Sequence, residues 1–145
     1  MPHEFAGHYK AKHPQGTQPD PHIAESLRQK VKDGRVSCAA SHRIAKELNA
    51  SPQRVGQNID LLEFRIHKCQ LGLFGYGKEG DKVQPADRIE SSLEKEIQAA
   101  LEDGRRLSCA SAWRIAKTVG CGRREVGAAC EALKLKITDC QIGAF

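Results

Sequence analysis

Cysteine can take part in more kinds of reaction than the other side chains in this sequence, because a thiolate can bind a metal, form a disulfide or act as a nucleophile. Four of the six cysteines recur as matched pairs, Cys38 with Cys109 and Cys69 with Cys140. The sequence has no Cys-x-x-Cys spacing of the kind typical of zinc and redox sites, and buried cysteine is a common small core residue. We therefore expect these four thiols to be reduced and packed in the core without a metal, with a thiol- or metal-responsive sensor as the alternative.

Motifs for catalysis are absent from the sequence. It contains no Gly-x-Ser-x-Gly turn, no glycine-rich phosphate loop and no His-Glu-x-x-His pair. His3, His8 and His13 recur at intervals of five residues, a spacing that does not align them on one face of a helix. We therefore expect neither an enzyme nor a cofactor, and no functional metal site at these histidines.

An internal repeat organises the chain. Val36–Phe74 aligns without a gap on Leu107–Phe145, and upstream Asp33-Gly34-Arg35 matches Asp103-Gly104-Arg105 after one inserted residue. Such self-similarity indicates two copies of one structural unit. The predicted organisation is a flexible tail over residues 1–21, a first unit over 22–74, a linker over 75–92 that leads into the next helix, and a second unit over 93–145.

Each unit is predicted to contain three helices. Apolar residues at four-residue steps mark the first helix, and they are Ile23, Leu27 and Val31 in one copy and Leu93, Ile97 and Leu101 in the other. Ser37 and Ser108 stand where a side chain can cap the second helix. The third helix is predicted to open near Pro52 in the first copy and near Arg123 in the second, and proline suits a first helical turn.

A short pair of strands completes each predicted unit. The glycines Gly34 and Gly104 stand where a helix commonly ends, so we expect them to cap the first helix. Extended segments are expected directly before the second helix and again after the third, where apolar and polar residues alternate. We expect these two segments to pair with each other.

The second and third helices resemble the helix-turn-helix of bacterial transcription regulators. The resemblance rests on a small residue inside helix two, a turn residue suited to positive φ and an apolar residue early in helix three, which are Ala45, Asn49 and Val55 in the first copy and Ala116, Gly120 and Val126 in the second. The apolar residue late in helix three falls one place later than usual, at Ile59 and Cys130. With the following strand, each copy is similar to a reduced winged-helix domain. The resemblance implies a mainly α fold with two tandem three-helix helix-turn-helix units, each with a short minimal β-wing.

This resemblance implies that the start and outer face of helix three enter the major groove of DNA. Gln can read adenine and Arg can read guanine, while an arginine on helix two suits a phosphate. The candidate nucleic-acid-binding residues are Arg43, Ser51, Gln53, Arg54, Gln57, Arg114, Arg123 and Arg124. On the same outer face, Gly56 and Gly127 offer no side chain, and Asp60 and Glu131 would face phosphate unfavourably.

The overall charge suits an anionic partner, since the formal net charge is +5 and the pI is about 9.0. The sequence has no apolar run near the roughly 18 residues that span a bilayer, and its N-terminus lacks the apolar core of a signal peptide. We therefore expect a cytoplasmic protein without membrane contact. The leading hypothesis is a small transcriptional regulator that binds double-stranded DNA, and the alternative is a protein-interaction adaptor that uses the same fold.

Overall fold

The fold is given by a computed structural model that describes residues 8–76 and 82–145. The chain divides into two compact units: unit 1 comprises Met1–Cys69 with Gln141–Phe145, and unit 2 comprises Gln70–Cys140. Both are mainly helical with one small strand pair each in the described residues, which confirms the predicted helical class. The division differs from the predicted boundaries, because each unit includes the short segment that follows the other unit's second strand in the sequence.

The two units have the same order of elements in their described residues. Unit 1 has a short 3-10 helix at Tyr9–Lys12, followed by α1 (Pro21–Lys30), β1 (Arg35–Ser37), α2 (Cys38–Glu47), α3 (Pro52–Leu61) and β2 (Arg65–His67). Unit 2 has α4 (Ser91–Ala100), β3 (Arg106–Ser108), α5 (Cys109–Val119), α6 (Arg123–Ala132) and β4 (Lys136–Thr138). The third helix of each unit, α3 or α6, begins at the residue that the sequence predicts.

Side-chain caps fix where several helices begin. The hydroxyl of Ser37 accepts a hydrogen bond from a backbone N–H in the first turn of α2, and Ser108 does the same for α5, so both predicted caps are confirmed. Asp20 caps α1 and Ser51 caps α3 in the same way. Each cap satisfies a backbone donor that has no partner within its helix. In α6 the N-cap is Gly122, which makes no side-chain hydrogen bond.

The Asp-Gly pairs after the first helices do not cap those helices, so the prediction for Gly34 and Gly104 is wrong. In unit 1 the helix ends four residues earlier, and Asp33 and Gly34 have φ of 53° and 74°. Asp-Gly is a preferred pair for a two-residue turn with both φ values positive. The residues on either side, Lys32 and Arg35, exchange backbone hydrogen bonds of 2.9 and 3.0 Å. The glycine therefore turns the chain into β1.

The predicted strand pairing is confirmed, and its direction is parallel. β1 pairs with β2 so that Val36 stands opposite Ile66, and β3 pairs with β4 so that Leu107 stands opposite Ile137. Two helices connect the strands of each pair, which is the long crossover that parallel neighbours need. Each pair therefore joins the segment before the second helix to the segment after the third, and it is not a hairpin.

Each unit has a small apolar core formed by its three helices and its first strand. In unit 1 the buried cluster consists of Ile23, Leu27, Val36, Ile44, Ala45, Val55 and Ile59. The corresponding buried residues in unit 2 are Leu93, Ile97, Leu107, Ile115, Ala116, Val126 and Cys130. The turn residues Asn49 and Gly120 have φ of 52° and 80°, which confirms the left-handed turn expected between the second and third helices.

Candidate nucleic-acid interface

The outer face of α3 is covered in unit 1. A β-carbon on Gly56 would overlap the carbonyl oxygen of Ile142 and lie 2.7 Å from its carbonyl carbon. Ile142 is itself 1% exposed. Only glycine allows so close a backbone approach, so Gln141–Phe145 lies directly against the helix at this point.

The same packing occurs around α6 in unit 2. A β-carbon on Gly127 would overlap the carbonyl oxygen of Leu71, and Leu71 is fully buried. In each unit, therefore, the apolar residue after a Cys-Gln pair packs its backbone against the glycine of the third helix. This explains why both recur between the two copies of the repeat.

An N-terminal arm, residues 9–13, also contacts α3 and the turn after it. The backbone N–H groups of Tyr9 and Lys10 donate to the Glu63 carboxylate over 2.9 and 2.6 Å. Lys12 Nζ lies 3.0 Å from an Asp60 carboxylate oxygen, and His13 Nε2 lies 2.9 Å from the same oxygen. These contacts give the arm a defined position, which differs from the flexible tail expected over residues 1–21. Residues 1–7, including His3, lie outside the described part.

Part of the predicted linker contacts α6 in unit 2, as the N-terminal arm contacts α3 in unit 1. The Val83 N–H donates to the Gly72 carbonyl over 2.8 Å, and the Ala86 N–H donates to the Ala128 carbonyl of α6 over 3.0 Å. Val83 is 7% exposed. The described residues from 82 onward therefore pack against unit 2, while residues 77–81 of the predicted linker lie outside the described part.

This covering corrects the expectation that the whole outer face of helix three meets DNA. Gly56, Asp60 and Gly127 are buried, and Glu131 is half-buried. Because both faces of α3 are packed, Asn58 is buried as well as Ile59, which accounts for the shifted apolar position in that helix. A major groove could not reach these residues without displacing the segments that cover them.

The candidate nucleic-acid-binding residues remain at the surface to different degrees. Exposed side chains belong to Arg43, Ser51, Gln53, Arg114, Arg123 and Arg124. Arg54 and Gln57 are half-buried, and the Arg54 guanidinium donates to the Gln57 side-chain oxygen. The exposed candidates therefore lie on the second helices and at the starts of the third helices. The remaining two, Arg54 and Gln57, form a hydrogen bond with each other on α3.

In unit 2 the exposed candidates join Lys117 to form a basic corner, defined as Arg114, Lys117, Arg123 and Arg124. Arg114 and Lys117 lie one helical turn apart on α5, and the other two open α6. Arg114, Lys117 and Arg123 line one shallow depression together with Trp113, Ala116 and Cys121. Within residues 8–76 and 82–145, no carboxylate forms an ion pair with any of the four cations.

Two aromatic rings fix the arginines of this corner. The Arg123 guanidinium carbon lies 3.6 Å from the centroid of the Trp113 ring, and Arg123 Nη1 donates to the Gln70 side-chain oxygen over 3.1 Å. The Arg124 guanidinium carbon lies 4.4 Å from the centroid of the Tyr76 ring. Both distances are those of cation–π contacts, which hold each guanidinium in place without a carboxylate partner among the described residues.

One carboxylate stands beside the basic corner. Glu125 is in the first turn of α6, and it interacts with the half-buried Cys121 thiol. Desolvation and the charge of Glu125 raise the pKa of Cys121 above its ordinary value. At neutral pH this thiol is therefore protonated and adds no charge to the depression.

The corresponding surface of unit 1 is built differently. Arg43 and Lys46 match Arg114 and Lys117, but His42 stands in place of Trp113, and Pro52 and Gln53 stand in place of the two arginines. The sequence prediction included Arg43 and Arg114 and missed both lysines. Their signal was present, because an Arg-x-x-Lys spacing puts two cations on one helical face.

Three of the four repeated cysteines are buried, and Cys140 is half-buried. Cys38, Cys69, Cys109 and Cys130 are buried, and Cys121 and Cys140 are half-buried. Desolvation, with a smaller contribution from the Glu131 charge, raises the pKa of Cys130 to about 11. In the described part of the chain, no three His, Cys, Asp or Glu side chains are grouped as a metal site requires.

Comparisons with protein-family models, curated protein sequences and solved structures gave no match. Among the helices of the described residues, none has the length and apolar character needed to cross a membrane.

Proposed function

We propose that this chain binds nucleic acid through the basic corner of unit 2, as a small cytoplasmic transcriptional regulator with two helix-turn-helix units. In this proposal α2–α3 and α5–α6 are the helix-turn-helix pairs, and double-stranded DNA is the partner that the resemblance implies. The observation that carries the proposal is the group of four exposed cations around the start of α6, none of which forms an ion pair within residues 8–76 and 82–145. Cations in this arrangement neutralise phosphates and release counterions.

The proposed contact differs from recognition by the outer face of helix three. Because α3 and α6 are covered there, contact is confined to the exposed face of α5 and the start of α6. The N-terminus of an α-helix carries a partial positive charge that adds to the attraction for phosphate. Arg43 and Lys46 give unit 1 a weaker equivalent, with Ser51 and Gln53 beside them at the start of α3.

The test measures the affinity for a labelled duplex DNA of mixed sequence at several salt concentrations. Replacing Arg114 and Lys117 with alanine removes two phosphate contacts, so the slope of log affinity against log salt should become shallower by about 2. The matched control replaces Lys95 and Lys134, two exposed cations of unit 2 that do not line the depression, and it should retain the original slope. Equal slopes for both double variants would refute the basic corner as the binding surface, and no salt-dependent binding by the unaltered protein would refute the function.

A further inference from the structure

The geometry of Arg123 points to a more specific ligand, and we propose that this side chain is a stacking platform for an unpaired nucleotide base. The inference rests on the proposed function and deepens it. It assigns Arg114 and Lys117 to the phosphates that flank that base. Unit 2 would then prefer single-stranded nucleic acid, or a duplex with an unpaired nucleotide, over a fully paired duplex.

The guanidinium of Arg123 lies flat on the Trp113 ring. Its central carbon lies 3.6 Å from the Trp113 ring centroid, which is a stacking distance that a guanidinium standing on its edge would exceed. The hydrogen bond from Nη1 to Gln70 fixes the rotation of the group within its plane. Two contacts thus hold a planar cation flat, and little side-chain freedom remains to be lost when a ligand binds.

The guanidinium has a second face, which points away from the indole. Arg123 is exposed, so a planar ligand can reach this face without displacing Trp113. Arginine planes and aromatic rings are the usual surfaces on which single-stranded bases stack. A base placed here would complete a three-layer stack of base, guanidinium and indole.

Two further cations lie beside Arg123. Arg114 and Lys117 line the same depression as Arg123, so an anionic group attached to the stacked base would meet two further cations. A base inside a continuous duplex is stacked on both sides and cannot present its face to Arg123. The combination of a flat platform with adjacent cations therefore fits an unpaired nucleotide better than paired DNA.

Unit 1 provides an internal contrast. Pro52 stands where Arg123 stands in unit 2, and His42 stands in place of Trp113. Proline has no planar cation, so this surface of unit 1 has the phosphate-binding residues Arg43 and Lys46 without the platform. Single-strand preference should therefore belong to unit 2.

The experiment uses the full chain and the emission of Trp113, which is its only tryptophan. The unaltered protein is titrated at about 0.1 M salt with a 15-nucleotide thymidine strand and, separately, with a 15-base-pair duplex. We expect the single strand to bind at least fivefold more tightly and to change the Trp113 emission, while the duplex leaves the emission nearly constant.

The discriminating variant is Arg123→Lys, which keeps the charge and removes the plane. It should lose affinity for the single strand at least fivefold more than affinity for the duplex. The matched control is Arg105→Lys, made at an exposed arginine of unit 2 that takes no part in the corner; it should behave as the unaltered protein does.

The outcomes separate the two proposals. Salt-dependent duplex binding with no single-strand preference and constant emission would overturn the platform and leave the proposed function in place. Equal losses for both ligands in Arg123→Lys would also overturn it. Failure of both ligands to bind would refute the proposed function and the platform together.

Discussion

Units 1 and 2 share a covered third helix and differ in the residues at its start. Gly56 and Gly127 both admit the backbone of a short apolar segment, and both strand pairs have the same parallel register. The start of α3 carries Pro52 and Gln53, whereas the start of α6 carries two arginines over aromatic rings. The comparison shows that the packing around the third helix is kept in both units, while the exposed chemistry beside it differs.

The residues that pack against the third helix also differ between the two units in their polarity. In unit 1 the buried Asn58 accepts a hydrogen bond from the Asp20 N–H over 2.7 Å, and Asp60 forms an ion pair with Lys12 and a hydrogen bond with His13. In unit 2 the residue matching Asn58 is the buried Ala129, and the buried Val83 donates its N–H to the carbonyl of Gly72, the residue after Leu71. Unit 1 therefore depends on paired polar groups where unit 2 depends on apolar contact. Replacing Asn58 or Asp60 should accordingly lower the stability of unit 1 and leave that of unit 2 unchanged.

The largest effect is expected from Gly56→Ala or Gly127→Ala, each of which should damage its own unit. Alanine normally stabilises a helix interior by about 1 kcal/mol relative to glycine. Here its β-carbon overlaps a backbone oxygen, so we expect a net loss of about 2–3 kcal/mol in the free energy of unfolding. Urea denaturation measures the loss, and hydrogen exchange should show it first in Gln141–Phe145 for Gly56→Ala.

The matched control for these variants is Gly122→Ala. Gly122 has φ of −73°, and the atoms nearest to its β-carbon position lie 3.9 Å away. This change should alter stability by no more than about 1 kcal/mol. If Gly56→Ala were as mild as the control, the close approach of Ile142 to α3 would be incorrect.

A smaller effect is expected from Asp60→Asn, which acts on unit 1. The change removes the charge that Lys12 and His13 meet at 3.0 and 2.9 Å. Hydrogen bonds to a charged partner contribute about 1.5–3 kcal/mol each, so unit 1 should lose about 2 kcal/mol of stability. Limited proteolysis should cleave the N-terminal arm faster in this variant. Asp87→Asn, at an exposed carboxylate of unit 2, is the control, and equal cleavage rates in the two variants would contradict the role of Asp60.

The smallest effect concerns His67 on β2, whose counterpart in unit 2 is Thr138. Desolvation lowers the pKa of His67 below 6.5, and the charges of Lys68 and Arg35 lower it further. The unfolded chain therefore binds the proton more readily, and the free energy of unfolding should fall as the pH drops below that value. Urea denaturation of the unaltered protein and His67→Thr, at neutral pH and near pH 5, should show a smaller fall in the variant. A fall of equal size in both proteins would exclude His67 as a source of the pH dependence.

Local rules predicted the parts of this fold that depend on neighbouring residues. Ser37 and Ser108 could be recognised as caps, and Asn49 and Gly120 as turn residues with positive φ, because each acts within four positions of its own place. The Asp-Gly pairs were misassigned because two local rules compete there, one for helix ends and one for tight turns. The turn rule prevails because a strand follows each pair, β1 directly after Gly34 and β3 one residue further on from Gly104.

The covering of α3 and α6 could not be predicted from the same rules. The repeat shows that a Cys-Gln segment follows each second strand, but it does not show which third helix that segment packs against. One clue was available, since a glycine inside a helix costs about 1 kcal/mol and two copies at Gly56 and Gly127 suggest a close backbone approach. The Arg123 stack was equally hidden, because Trp113 and Gln70 are distant from it in sequence.

The position of Ile142 against Gly56 also sets the timing of folding during synthesis. Leu71 leaves the ribosome before α6 does, so the covering segment of unit 2 is already present when its helix forms. For unit 1 the order is reversed, because the ribosome must add 86 residues after Gly56 before Ile142 exists. At about 5–20 residues per second, the Gly56 surface of α3 in a nascent chain waits roughly 4–17 s for this segment, and a chaperone has that interval in which to bind it.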